Sequence, residues 1–428
     1  MYQFADAPVE RARVEGMRAE PLASGIAGFD GSLALVHDWC PSFRGGERVL
    51  AELKKVFGAD DIFTLFQFLE PEVLETHFGG AKFHTSAIND WPGMRRFYRH
   101  LFPLCPFLIE QFDVTGFDAV ISSSAAFARG VITRPDQPHL CYVHSPMRYA
   151  WDEQFSYAEQ MRMGRLGRLL FSVVLHHMRM WDTRTAHAPD VMVANSNFVR
   201  ARIRRIYGRD AQVVFPPVEV APEAFSAEKD DYYVTASFLA PYKRTDLVIR
   251  AFNAMPSRRL LVVGEGQQSR ALRSIAGPNV TFTGFLPRGD YLGTVARAQA
   301  LVFAGCEDFG IALAEAQALG TPLIAFARGG ARDIVAPPGA GHEPTGLLFE
   351  RQEEATVIDA IAAFEADRSR FSADACRERA GRFSTERFHR GIRRAFDRAI
   401  DIHRPADRRR RDRSPAEPLP AATTSERT

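Results

Sequence analysis

Short apolar runs bounded by polar or glycine-rich stretches recur along this chain, and the spacing between them repeats. The first, Ser32 to His37, is followed by a loop ending in Gly45-Gly46 and an amphipathic segment from Glu47 to Phe57, which predicts a strand, a tight turn and a helix. Further strands are predicted at Asp118 to Ser122, His139 to His144, Val191 to Ala194 and Val213 to Phe215, mostly separated by helical patterns. That alternation favours a parallel sheet covered on both faces. Pro216-Pro217 interrupts the chain in a way that suits a hinge. A second series then follows at Tyr232 to Ser237, Arg259 to Val263, Val280 to Thr283, Ala300 to Phe303 and Leu323 to Ala325. After Thr345-Gly346-Leu347 the pattern is helical to about Ile402, with Gly391 to Ile402 suited to a closing helix. The expected fold class is α/β, with two Rossmann-like, doubly wound domains facing a cleft. The division it gives is a disordered extension over 1–30, a first domain over 31–217, a second over 218–385, a closing helix over 386–403 and a disordered arginine-rich tail over 404–428.

Composition narrows the partners. The chain has 428 residues, 46% of them apolar, enough for two domains with substantial cores. The 54 basic and 52 acidic residues nearly cancel, so no nucleic-acid partner is expected; such binding would rest only on the arginine tail. Cys40, Cys105, Cys141, Cys306 and Cys376 lie far apart without CxxC or Cys/His spacing, which reads as reduced thiols and no metal site. Residues 1–30 carry Glu10, Arg11, Arg13 and Glu15 and lack the apolar core of a signal peptide, and no run is long enough to span a bilayer. A cytoplasmic location is expected.

The most informative stretch runs from Glu307 through Asp308, Phe309, Gly310, Ile311 and Ala312 to Glu315 and on to Pro322, entering a helix from a strand. Were most of the spacing between the glutamates helical, the carboxylates would stand about 12 Å apart along the axis. One would then meet a sugar and the other a ribose. The free amides of Phe309 to Ala312 would form a positive helix end suited to a diphosphate. In order around this string come Tyr242-Lys243-Arg244, then Val263-Gly264-Glu265-Gly266, then Thr283-Gly284-Phe285-Leu286. Taken alone each has a plain reading: a surface helix, a solvated lysine, a tight turn. The glycine pair is no dinucleotide fingerprint, because Ser269 stands where the third glycine belongs.

Together the string resembles the E-x7-E signature of retaining glycosyltransferases with the GT-B fold, family 4 (glycosyl transferases group 1), over roughly residues 32 to 400. The resemblance implies catalytic roles for His144, Glu307 and Lys243, with Lys243 on the donor phosphates, Glu307 on the sugar hydroxyls and His144 facing the hexose. It implies donor contacts from Gly45, Gly46, Arg244, Gly264, Gly266, Phe285, Leu286, Phe309, Gly310, Ile311 and Glu315, the last on the ribose. It requires neither metal nor organic cofactor, because protein cations and helix ends serve the diphosphate. The chain departs from the family at Phe238, where an arginine usually stands; Arg244 or Arg328 would substitute, or the donor is held differently. Asp38, Asp152 and Arg148 are secondary candidates at strand ends, equally readable as loop residues. The strings His37-Asp38-Trp39, Arg44 to Leu50 and His144 to Asp152 resemble bacterial polysaccharide mannosyltransferases. They favour GDP-mannose as donor and a glycan or polyprenyl-linked acceptor in surface polysaccharide synthesis. The alternative is a nucleotide-sugar-binding protein without turnover.

Met94 to Phe102 mixes arginines with aromatics, and Arg162, Arg165 and Arg168 recur beside Leu166, Leu169 and Leu170. Such basic amphipathic segments suit peripheral contact with the inner face of a membrane, although a helix half-buried in its domain gives the same pattern. The arginines of the tail would add attraction to anionic lipid.

Overall fold

The computed structural model describes residues 29–155 and 164–404. The expected extension over 1–30 (apart from its last two residues), Arg162 and the tail beyond Arg404 lie outside them. Two all-parallel sheets form. The first contains β1 (Leu33–His37), β2 (Asp61–Thr64), β3 (Lys82–Thr85), β4 (Ala119–Ser124), β5 (His139–Val143), β6 (Val191–Ala194) and β7 (Gln212–Val213), in the order β3-β2-β1-β4-β5-β6-β7. The second contains β8 (Tyr233–Ala236), β9 (Leu260–Val263), β10 (Val280–Gly284), β11 (Leu301–Phe303), β12 (Leu323–Phe326) and β13 (Gly346–Phe349), in the order β10-β9-β8-β11-β12-β13. Both are doubly wound. In each the order reverses at the first strand, between β1 and β4 and between β8 and β11, and such switch points hold ligands at the carboxyl ends of open α/β sheets.

The strands are buried on both faces, as parallel sheets require: β1, β4 and β5 are buried along their whole lengths. The Gly45–Phe57 helix covers the first sheet with Val49, Leu50 and Leu53. Phe388, Ile392 and Phe396 of the last helix, Thr385–His403, join the same cluster, so the chain ends its described course on the sheet where it began. Gly391 lets this helix lie close, since a Cβ there would stand 2.9 Å from Val214 Cγ1. The chain crosses between sheets at Pro216-Pro217 and again near Phe383, joined where the Val218 amide donates to the Phe383 carbonyl at 2.8 Å.

Three strands escape the hydrophobic pattern. β2 and β3 are four-residue edge-side strands opening on Asp61 and Lys82, and β13 falls where the pattern reads as helix. The run expected at Val213 to Phe215 is paired only at Gln212–Val213, because the following prolines cannot donate to a ladder.

His139 opens β5 fully buried, with Nε2 2.8 Å from Ser122 Oγ, and burial pulls its pKa down to about 4. The unfolded chain takes up that proton near pH 6.5, so this stability is complete above about 6.5 and is lost as pH falls towards 4. Urea titrations at pH 7 and pH 4.5 should show His139→Gln spared about 2 kcal/mol of the acid loss seen in the unsubstituted protein.

Candidate functional site

The two switch points face each other. From the first sheet come His37 at the end of β1, Ser123 in β4 and His144 just past β5. His37 Nδ1 lies 3.0 Å from the Ser123 carbonyl, His144 Nε2 lies 2.8 Å from Ser123 Oγ, and the two imidazoles meet edge-on at 6.2 Å. Burial, and then the nearby His37, hold the His144 pKa below the ordinary histidine value. A neutral, half-buried imidazole fixed by a hydroxyl can orient a substrate hydroxyl and is poorly suited to serve as a cation.

Opposite stand the loops after β8 and β11. Lys243 follows β8 and pairs with Glu307, which follows β11. Its ammonium lies 4.9 Å from the Tyr242 ring centre and 5.9 Å from that of Phe303. Burial first, then the Arg148 and Arg44 guanidiniums, push the Lys243 ammonium down to about 7 against the pull of Asp308. A lysine so desolvated is strengthened as a partner for anions.

Between the halves, two helix starts converge. The Gly45–Phe57 helix and the Ile311–Ala318 helix are so close that a Cβ on Gly45 would lie 2.9 Å from Ile311 Cδ1. Gly46 lies against His37, its Cβ position 3.6 Å from Cε1. Among the described residues no acceptor takes the amides of Phe309 to Ala312, so this end of the cleft carries unspent N–H groups and the positive pole of a helix.

The helix begins only at Ile311, after Gly310 in a left-handed conformation at φ 96°. Most of the interval from Glu307 to Glu315 is therefore not one helix, and the axial separation expected from the sequence does not apply. Glu307 sits on the loop beside Lys243. Glu315 is 4% exposed and accepts from Arg48 Nη1 at 3.0 Å, Arg288 Nη1 at 2.8 Å and Tyr291 Oη at 3.1 Å. Arg48 belongs to the opposite half, and Arg148 Nη1 also crosses the cleft, to Asp308 at 3.6 Å.

Other expected residues are placed as follows. Gly264, at φ 118°, and Gly266 pack on the carbonyls of Ser237 and Leu239, so their missing side chains let the loop after β9 close on the loop after β8. Phe285 projects into solvent at 68% exposure, with Leu286 half-buried behind it. Arg244 is held by Asp246 at 3.3 Å, and Arg328 lines a groove with Asn197, Phe198 and Asp333; neither is seen at Phe238. Two of the secondary candidates are structural. Asp38 accepts the amides of Ala125, Ala126, Phe127 and Ala128 at 2.6 to 2.8 Å, and Asp152 forms a two-pronged pair with Arg202. Asp38, buried under those four amides, has no carboxylate oxygen left to meet a ligand.

Sequence reasoning gave no role to Arg48, Arg288, Tyr291, Ser123 or the glycine pair Gly329-Gly330. Of these, only the adjacent glycines carried a signal: their Cβ atoms would collide with the carbonyls of Glu307 and Phe309. The described residues contain no cluster of His, Cys, Asp and Glu able to hold a metal ion.

Residues 219–383 match the family described as Glycosyl transferases group 1. The match covers the body of the second domain, which is similar to a group 1 glycosyltransferase domain. The chain is 30% identical over 239 residues to D-inositol 3-phosphate glycosyltransferase of Mycobacteroides abscessus, covering 52% of this chain and 53% of that one. It is 29% identical over 218 residues to the GDP-mannose-dependent alpha-(1-6)-phosphatidylinositol monomannoside mannosyltransferase of Mycobacterium tuberculosis, covering 44% and 55%. It thus spans about half the length of these curated relatives. Among solved structures it resembles sucrose-phosphate synthase of Thermosynechococcus elongatus, with TM-score 0.65, 18% identity and coverage of 87% and 100%. HepE of Anabaena in complex with UDP-glucose gives 0.62, 18%, 86% and 99%. At such identity these likenesses speak for the fold, which is GT-B: two Rossmann-like domains across a cleft.

Two substitutions test the scaffold. Asp38→Ala strands four amides, three of them buried, and should cost about 3 kcal/mol or more in a urea titration. Gly330→Ala drives a methyl into the Phe309 carbonyl and should cost about 2 kcal/mol in the same titration. Wild-type stability in either would contradict the packing described.

Proposed function

We propose that this chain is a retaining glycosyltransferase that moves a hexose, with mannose from GDP-mannose favoured, onto a glycan or polyprenyl-linked acceptor in surface polysaccharide synthesis. The observation that carries the reading is the convergence of the Gly45 and Ile311 helix starts beside Lys243 and Glu307. It joins unspent amides, a helix pole and a desolvated ammonium where a diphosphate would gain charge on leaving.

In this reading the donor lies on the second domain with its ribose at Glu315, which would share its hydrogen bonds among Arg48, Arg288, Tyr291 and the sugar hydroxyls. Phe285 and Leu286 border the base. The diphosphate lies against the amides of Phe309, Gly310 and Ile311, with Gly45 and Gly46 closing over it and Lys243 neutralising it. Glu307 and His144 orient the hexose hydroxyls. The acceptor hydroxyl attacks from the face the diphosphate leaves, and a diphosphate oxygen takes its proton, so no strong general base is needed. The preference for GDP-mannose is supported by the resemblance of the His37 to Leu50 and His144 to Asp152 strings and by relatives whose names specify that donor.

Peripheral membrane contact fits the exposed surface. The Arg165–Thr185 helix buries Leu175 and Met178 but leaves Leu166, Leu169, Leu170 and Val173 in solvent next to Arg165 and Arg168. Its Phe171 packs on Phe102 at 6.4 Å, joining it to a segment that exposes Phe97, Leu104 and Phe107. No described helix is long and apolar enough to cross a membrane.

Release of nucleoside diphosphate should occur with one of a panel of GDP-, UDP- and ADP-sugars and vanish in Glu307→Ala, and the product anomer, read by NMR, should match the donor. Tight donor binding without release in the presence of a lipid extract would favour the binding-only alternative. An inverted product would refute retention. Flotation with anionic vesicles should carry the full chain upward, and Leu169→Asp with Leu170→Asp should reduce it about tenfold; equal flotation would remove the membrane contact from the reading.

A further inference from the structure

We propose that Arg44 is the second cation of the donor site, delivered across the cleft onto the face of Phe238, so that full neutralisation of the departing diphosphate is available only when the two domains are closed. This rests on the glycosyltransferase reading above.

The loop after β8, where Phe238 stands, meets the donor phosphates in that reading, and Lys243 is the cation of its own domain there. Phe238 is half-buried at the carboxyl end of β8, held by its neighbours: the Leu239 amide donates to the Glu265 carbonyl at 2.9 Å, and Gly264 and Gly266 pack beneath. Over its ring, 4.9 Å from the centre, lies the Arg44 guanidinium. Arg44 is also among the charges that depress Lys243, so the two cations share one field.

Of the other arginines around this cleft, Arg48 and Arg288 pair with Glu315, Arg148 with Glu153 and Asp308, and Arg244 with Asp246, while Arg328 lies on the Cys306 side, in the groove with Asn197 and Asp333. Among the described residues no carboxylate lies within ion-pair distance of the Arg44 guanidinium, and its ring contact leaves its donors unspent. A guanidinium resting on an aromatic face keeps its in-plane N–H groups available to a second, anionic partner, which an ammonium cannot match. An arginine at 238 itself would meet Arg44 as a like charge. Phenylalanine instead gives the incoming group a platform.

The placement has a dynamic consequence. Arg44 precedes the Gly45–Phe57 helix, its amide donating to Glu47 Oε2 at 3.0 Å, and so moves with the first domain, whereas Phe238 and Lys243 belong to the second. Opening the cleft removes Arg44 from the phosphates and leaves Lys243 alone. A donor on the open enzyme then lacks one of its two cations, which protects it from water until the domains close.

The test compares the full-length protein with Arg44→Ala, Arg44→Lys, Phe238→Leu and the double variant Arg44→Ala/Phe238→Arg, measuring kcat and KM for the active donor and calorimetric affinity for the nucleoside diphosphate. Arg44→Ala should lower kcat/KM by about 10- to 100-fold, the effect of losing one charge-assisted hydrogen bond. Arg44→Lys should recover little, and Phe238→Leu should fall between the two. The double variant should regain activity over Arg44→Ala and, carrying its cation on the donor domain, should raise donor hydrolysis without acceptor relative to transfer. Unchanged kcat/KM in Arg44→Ala, or a double variant no better than it, overturns the proposal while the reaction class stands. A wild-type protein that neither binds a nucleoside diphosphate nor releases one overturns the reaction class as well.

Discussion

The meeting of two helix starts, Gly45 on one domain and Ile311 on the other, governs this molecule. Backbone amides at a helix start have no partner in their own helix, and bringing two such ends together in a cleft is unfavourable unless something anionic lies between them. The chain permits the approach by omitting a side chain at Gly45, whose Cβ would stand 2.9 Å from Ile311. Carboxylates then balance the excess of positive charge: Glu307 on Lys243, Glu315 on Arg48 and Arg288, and Asp308 on Arg148. The pairings across the cleft hold the halves together through groups that, in the proposed reading, a diphosphate sugar would engage.

The scaffold keeps the loops in register by packing rather than by cross-links. All five cysteines are free, and four of them are buried among apolar neighbours. Gly264, Gly266, Gly329 and Gly330 each place a backbone against the carbonyls of a neighbouring loop, which ties the loops after β9 and β12 to those carrying Phe238 and Glu307. Asp38 does the corresponding work in the first domain by gathering four successive amides, and a buried pair of Arg129 and Asp182, with Trp151 and Tyr207 also on Asp182, anchors the Arg165–Thr185 helix beneath its exposed leucines. The polar groups nearest the strand ends are thus divided between holding the chain in place and facing the cleft, and residue type alone does not separate them.

Local order made much of the architecture readable. Nine of the thirteen strands are apolar runs long enough to declare themselves, with β7 met only at Val213, and their alternation with helices implies parallel sheets. β2, β3 and β13 were hidden because four residues with a polar or glycine start carry too little periodicity. The string from Glu307 to Glu315 also named its neighbourhood correctly, since a loop leaving a strand and entering a helix must lie at the sheet's carboxyl edge. Its geometry was misread, because Gly310 takes a left-handed conformation that delays the helix to Ile311.

Two doubly wound sheets and the β11 loop with its helix start were legible along the chain, because each depends on residues close together in it. Tertiary structure alone decided which polar residues face one another. Arg48 reaches Glu315 across 267 positions, Arg44 covers Phe238 from the other domain, and Asp38 is drawn away from the cleft to serve amides near residue 126. Such pairings follow from how two rigid sheets are set across a cleft, and a one-dimensional pattern carries no measure of that distance.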